Sequence, residues 1–198
     1  MKRAYFIPLV VFADFCWPFM LAQTSMAQKI QPQQHSEWAV PLSLAGVPNL
    51  HQVAPNFYRS AQPDAQGFAQ LNKRYGIRTV VSLRAFHSDK PLTKGLSLRL
   101  YDFPMHTWHI EREDVVGALR ALRLATQHDP TLLHCKHGAD RTGLITALYR
   151  IVYQGWSKDA ALDEMQNGDF GFHDMWINIP RYLRGIDIVA LKRDVDVP

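Results

Sequence analysis

The sequence predicts an α/β fold: a three-layer sandwich with a central, largely parallel sheet flanked by helices. Two patterns lead to this reading. Short apolar runs bounded by turn residues alternate with longer stretches in which apolar residues recur at helical spacing. Near the middle, Thr131-Leu132-Leu133 runs into the polar, glycine-containing segment His134–Gly143. Leu144, Ala147, Leu148 and Ile151 then fall at i, i+3, i+4 and i+7 of a helix. A strand, a tight loop and a helix in that order belong at the carboxyl edge of a sheet, where such folds bind ligands. The 198 residues, 47% of them apolar, suffice for one well-buried core.

The first residues are read apart from the fold. Lys2-Arg3 precede an apolar stretch from Ala4 to Ala22, and Ser25-Met26-Ala27 places small residues at the −3 and −1 positions of a cleavage site. This predicts a secretory signal peptide over residues 1–27, cleaved after Ala27, and a periplasmic or secreted mature chain. Retention as an N-terminal anchor is the alternative. Pro8, Asp14 and Pro18 interrupt the apolar run and argue against a stable membrane span. Cys16 follows Asp14-Phe15, where a lipidation signal needs small residues. Losing Lys2, Arg3 and Asp14 changes the net charge from +4 to +3, which points to no nucleic-acid partner. Cys135 is then the one thiol of the mature chain, so no internal disulfide is expected.

Residues 28–50, rich in Gln and Pro, read as an extended lead-in to a single domain over 51–198. Pro63-Asp64 opens a helix with Phe68, Leu71 and Tyr75 on one face, closed by Gly76. A strand follows at Thr79–Leu83, a loop at 85–95 and a second strand at Leu96–Phe103. A helix from Glu113 to Gln127 carries Val115, Leu119 and Leu122 on one side. Ser157 caps a helix reaching Met165, and Ile179–Leu191 reads as one more.

Within the central loop, Cys135 is followed six positions later by Arg141. Loop amides and a helix N-terminus together attract an anion. A free thiol has a pKa near ~8.5, and a helix N-terminus with nearby cations can bring a thiol down to ~3.5–7.5, into the range where thiolate is abundant. Arg141 offers a planar fork to two phosphate oxygens, which lysine cannot imitate. The pattern therefore predicts that Lys136, His137, Gly138, Ala139, Asp140, Arg141 and Thr142 cradle a phosphate while Cys135 attacks it. Gly138 and Gly143 permit close backbone approach, Thr142 offers its hydroxyl to the sulfur, and Asp140 can help position water. His134 holds the loop by hydrogen bonds rather than meeting substrate. The bland alternative, a buried structural cysteine beside unrelated polar residues, leaves the whole surrounding pattern unexplained.

The segment His134-Cys135-x5-Arg141-Thr142 resembles the signature of the cysteine-dependent tyrosine and dual-specificity phosphatase superfamily. Phe57-Tyr58-Arg59-Ser60-Ala61-Gln62-Pro63 is similar to the Y-R-S-x-x-P segment of its small bacterial members, and Gly76–Arg84 to their early core strand. Tyr149–Val152 and Gly155-Trp156 are similar to the segment after their loop, and the likeness covers roughly residues 46–190. It points to the periplasmic bacterial branch, and more distantly to plant and fungal atypical phosphatases. The resemblance implies a tyrosine-phosphatase-like fold, hydrolysis through a phosphocysteine and phosphotyrosine protein as substrate, with dual specificity allowed. It also implies a general acid on a loop about 30 residues before the cysteine, worth about 10²–10⁴ in rate.

Here the chain departs from the pattern. Thr107 and Trp108 stand where that acid aligns. Glu111 is the first choice in its place, with Asp102 and Asp114 as alternatives. Glu113 reads as a solvated carboxylate at a helix start, and His106 or His109 could also donate the proton. His106-x-x-His109 with His134, Cys135 and His137 offers soft ligands, but zinc would consume the thiolate, so no metal or other cofactor is expected. Asp169-Phe170-Gly171 matches a kinase tripeptide without the accompanying motifs and reads as a turn. Trp156 and Trp176 read as packing aromatics. Lys136 and His137, with Arg59 and Arg84 expected near the same rim, suit a polyanion. Inositol-phosphate or phosphoinositide hydrolysis is therefore the second enzymatic reading, a sulfurtransferase a more remote one, and a phosphate-binding module without turnover the non-enzymatic one. The expected partner is a phosphorylated protein or a small polyanionic phosphoester, acted on by a monomer.

Overall fold

The computed structural model describes residues 38–196, and the predicted signal peptide lies outside them. In chain order the elements are β1 (Val40–Pro41), β2 (His51–Ala54), β3 (Phe57–Ser60), α1 (Ala65–Tyr75), β4 (Thr79–Arg84) and β5 (Arg99–Met105). They continue with α2 (Arg112–His128), β6 (Thr131–His134), α3 (Asp140–Tyr153), α4 (Lys158–Asn167), α5 (Asn178–Gly185) and α6 (Ile188–Asp196). The six strands form one mixed sheet in the order β1-β2-β3-β6-β4-β5. β3, β6, β4 and β5 run parallel, and β1 and β2 add an antiparallel edge.

Strand alternation separates two cores. Tyr58, Leu132 and Val80 are neighbours across β3, β6 and β4 and pack with Phe68 and Leu71 of α1. One residue along, Leu133 and Val81 point to the opposite face, with Val115, Leu119 and Leu122 of α2 and Leu144, Ile145 and Leu148 of α3. Residues of α4, α5 and α6 join that second cluster. This is the expected three-layer arrangement, with α1 alone on one face.

Several boundaries follow from local chemistry. Asp64 caps α1 by accepting from the Gly67 amide at 2.7 Å, and Gly76, at φ +65°, closes it. Ser157 caps α4 as predicted, accepting from the Ala160 amide. The second strand is displaced toward Met105 from the predicted Leu96–Phe103, because β5 takes its register from β4 and is an edge strand that tolerates Pro104. The predicted helix Ile179–Leu191 is two helices. Ile186 is extended (ψ 135°) and Asp187 accepts from the amides of Val189 and Ala190 to start α6. The lead-in also needs correction from residue 38 onward. β1 pairs with β2, and Leu44, Val47 and Leu50 are buried against α1, so the packed domain begins ahead of residue 51.

α3 is buried on nearly every side. Its Arg150 forms a bidentate ion pair with Glu164 of α4 (2.9 and 2.6 Å) and stacks over Trp156 at 4.2 Å. Glu164 also accepts from the Ala39 amide, and Arg150 donates to the Val53 carbonyl. That network fixes the helix whose N-terminus forms one wall of the site.

Candidate active site

Ser60, His134 and Ser82 lie in one row across β3, β6 and β4; β3 and β6 end there, while β4 continues to Arg84. The chain leaves β6 at Cys135 and turns over that edge to enter α3 at Asp140. Three successive loop carbonyls are held from outside the turn. The Lys136 carbonyl accepts from the Gln62 amide (3.2 Å), the His137 carbonyl from Asn49 Nδ2 (2.9 Å), and the Gly138 carbonyl from Arg59 Nη2 (2.8 Å). In a trans peptide the N–H points opposite to the C=O. The amides of His137, Gly138 and Ala139 therefore face the inside of the turn, next to the first amides of α3. Backbone N–H groups so placed beside a helix start are an arrangement that attracts anions.

Gly138 is required twice over. Its φ is +72°, and a Cβ there would lie 2.5 Å from the Ala61 nitrogen and the Ser60 carbonyl carbon. Gly143 makes room differently, since a Cβ would meet Met165 Cγ of α4 at 2.8 Å.

Cys135, where the chain leaves β6, is fully buried and unpaired. Arg59, expected at the rim, is buried beneath the loop, where its guanidinium stacks on Phe170 at 3.6 Å. Burial pushes Arg59 down to about 10, against the pull of Glu164 and Cys135, which favour its charge. It remains a cation at neutral pH, close to the sulfur. Phe170 reaches that position from a turn in which Asp169 and Gly171 both have positive φ, so the kinase-like tripeptide is a packing turn. Arg84 is also away from the cavity, donating to Gln62 Oε1.

Arg141 is tied to the backbone by one nitrogen. Its Nη1 donates to the carbonyls of Leu83 (3.2 Å) and Met105 (3.0 Å), while Nε is buried without a protein partner. The Thr142 hydroxyl is likewise buried and unpartnered. It belongs to the first turn rather than the cap, which is Ala139. A buried donor without an acceptor is costly unless a ligand supplies one.

His134 Nε2 meets Asp89 Oδ2 at 2.7 Å, and both side chains are buried. Asp89 also accepts from Gln62 Nε2. Burial raises the Asp89 pKa, but the hydrogen bond and charge of His134, with Gln62 and His87, outweigh it and hold the carboxyl below its usual range. Sequence reasoning passed over Asp89, which lies in the β4–β5 connection without a motif, and Asn49, whose left-handed backbone only the structure shows.

Above the cradle opens a cavity of about 260 Å³, lined by Thr107, Lys136, His137, Asp140, Arg141, His173, Met175 and Trp176. Trp176 therefore lines the site besides packing on the core. The carboxylates proposed for proton donation are not among these lining residues. Asp102 is exposed on β5, and Glu111 caps α2 and pairs with exposed His109 at 2.7 Å. Asp114 lies in the first turn of α2, its pKa raised by partial burial and by Glu111 and Glu113. Trp108 is 65% exposed and stacks on His106. Asp140 is the one carboxylate in the lining, and it engages His173.

A buried, unpaired thiol thus stands where β6 leaves the parallel sheet, and Arg141 lies in the first turn of the helix that follows. Residues 47–174 match the tyrosine phosphatase family, and the chain belongs to it. It is 42% identical over 144 residues to the dual specificity protein phosphatase TpbA of Pseudomonas aeruginosa, covering 73% of this chain and 65% of TpbA. The chain thus spans just under two thirds of that relative's length. The crystal structure of a cysteine-to-serine TpbA variant in complex with pTyr superposes with a TM-score of 0.74 at 38% identity, over 83% of this chain and 99% of that one. The inositol diphosphatase DSP3 of Arabidopsis thaliana is 28% identical over 159 residues, 76% of this chain and 75% of the relative.

Proposed function

We propose that this chain is a cysteine-dependent phosphomonoesterase, a tyrosine or dual-specificity protein phosphatase working through a phosphocysteine. The observation that carries the reading is the loop from the buried Cys135 to α3, whose carbonyls at Lys136, His137 and Gly138 are all held by groups of the surrounding fold. In this mechanism the substrate phosphate seats on those amides and on the first turn of α3, with Arg141 and Thr142 completing the cradle. Cys135 Sγ attacks phosphorus, the leaving oxygen departs, and water then cleaves the phosphocysteine. The likeness to TpbA supports phosphoprotein as substrate.

Lys136 and His137, both exposed at the cavity mouth, favour a second substrate class, the inositol polyphosphates or phosphoinositides, and the likeness to an inositol diphosphatase agrees with it. Turnover of phosphotyrosine peptide, phosphoserine peptide, inositol phosphates and phosphoinositides, compared with a Cys135→Ser control, decides between them. The control should lose turnover on every substrate yet still bind vanadate, because the amide cradle and Arg141 remain. Residual activity within tenfold of wild type would falsify covalent catalysis by this thiol. Binding of phosphate without turnover in the wild type leaves the non-enzymatic reading.

We further infer that this activity lies outside the cytoplasm. The support is the basic start, the apolar stretch Ala4–Ala22 and the Ser25-Met26-Ala27 cleavage pattern. No helix among the described residues is long and apolar enough to cross a membrane. N-terminal sequencing of protein exported from a bacterial host tests it, with Gln28 as the expected first residue.

A further inference from the structure

We propose that Asp140 and His173 form the proton-transfer pair of this site, with His173 as acid and then base and Asp140 as its positioning residue. The inference rests on the phosphatase reading above and supplies the group that reading lacks. A phenolate or alkoxide leaving from phosphorus needs a proton, and no carboxylate between β5 and α2 lines the cavity. His173 does line it, and its side chain is 43% exposed.

The pair is built to hold one tautomer. Asp140, the first residue of α3, is only 3% exposed. Its Oδ1 accepts from the His173 backbone amide at 3.0 Å, and both its oxygens lie 3.0 Å from His173 Nδ1. Two anchors, one through the backbone and one through the ring, fix the imidazole against the helix start. With the Nδ1 proton held by the carboxylate, Nε2 is the ring position that can exchange a proton with substrate. A buried carboxylate on one imidazole nitrogen stabilises the imidazolium and sets its orientation.

In the first step Cys135 Sγ bonds to phosphorus, the bond from phosphorus to the leaving oxygen breaks, and that oxygen takes the Nε2 proton. In the second, neutral Nε2 takes a proton from water as its oxygen bonds to phosphorus. The S–P bond breaks, thiolate and inorganic phosphate leave, and the imidazolium is restored.

Several charges face the ring. Lys136 and Arg141 line the same cavity, Asp174 adjoins it in sequence, and His137 lies with its ring centroid 5.2 Å away. Burial, His173 and Lys136 lower the His137 pKa, which disfavours a second positive charge beside His173. The donor atoms of His137, Asp140 and His173 also lie within 4.8 Å of one another, a set that could hold a divalent cation instead. The experiment must separate the two.

His173→Gln is compared with wild type on phenyl phosphate and on p-nitrophenyl phosphate, in chelator-treated protein, with thermal melting and vanadate binding as checks on folding. The expected fall in kcat is about 10²–10⁴ on phenyl phosphate and under about tenfold on p-nitrophenyl phosphate, whose leaving group hardly needs a proton. The basic limb of the pH–rate profile should flatten on phenyl phosphate. In Asp140→Asn that limb should instead move to lower pH, since the imidazolium loses its carboxylate, with kcat affected more than KM. Equal losses on both substrates, or an unchanged basic limb, overturn the proposal. So does turnover that chelator abolishes and zinc or manganese restores. A leaving-group-dependent loss in Glu111→Gln but not in His173→Gln would return the acid to the α2 cap. A wild-type protein inert toward p-nitrophenyl phosphate, or an active Cys135→Ser, instead sinks the phosphatase reading beneath it.

Discussion

At the scale of single residues, the site depends on groups whose exact shape matters. Arg141 shares one nitrogen with two backbone carbonyls and leaves Nε buried and unsatisfied, which suits a planar fork but not a point charge. Arg141→Lys keeps the charge but cannot span both carbonyls and a phosphate. Arginines aimed at transferring phosphoryl groups are worth about 10³–10⁵ in rate, and we expect a fall of at least about 10³ in kcat/KM. Steady-state kinetics on phosphotyrosine peptide checks this, and near-normal activity would show that the residue acts only through its charge. Cys135, Gly138 and Arg141 stood out in the sequence because residue type and spacing alone mark a thiol, a close backbone approach and a planar guanidinium. Arg59 was seen but misplaced: nothing in a linear reading tells a rim arginine from one stacked beneath the loop on a residue 111 positions away. His173 carried no signal at all, since its meaning comes from Asp140, which the fold brings to it.

Among the elements, the β4–β5 connection matters most. Through Asp89 it clamps His134 at the end of β6, and Gln62 and Arg84 extend the same chain of hydrogen bonds to β4. The Asp89 carboxyl has a folded pKa below the ordinary 3.8 of an aspartate. A depressed carboxylate contributes stability that is fully present above its unfolded pKa and is lost as pH falls through the folded one. Asp89→Asn should therefore cost about 1–3 kcal/mol near neutrality, the range for a charged hydrogen bond. The two proteins' urea midpoints should converge as pH falls below the ordinary aspartate range. A variant as stable as wild type at pH 7 would refute the clamp. Periodicity and capping revealed α1, α2 and α4 nearly to their ends, because each has one apolar face or a capping side chain. β2 and β3 were not assigned as strands, since four residues are too few to show a period. The join of α5 and α6 was hidden because apolar spacing continues across Ile186.

For the whole molecule, the domain starts earlier than composition suggests. Gln and Pro dominate the first residues of the lead-in, but Leu44, Val47 and Leu50 behind them are core. Burying three such side chains contributes about 5–9 kcal/mol, comparable to the entire margin of a typical domain, about 5–15 kcal/mol. A chain beginning at residue 51 should lose cooperative thermal unfolding, whereas one beginning at 38 should melt as the longer chain does. Calorimetry of the two distinguishes them, and a stable 51–198 fragment would show the early segment to be dispensable. The strand order has a different consequence, in time rather than in space. β6 lies between β3 and β4 but is the last strand to be made. A chain emerging N-terminus first holds two part-sheets with open parallel edges until residues 131–134 appear and join them. The next residue to emerge is Cys135, so a nascent chain closes its sheet and acquires its thiol at almost the same moment of synthesis.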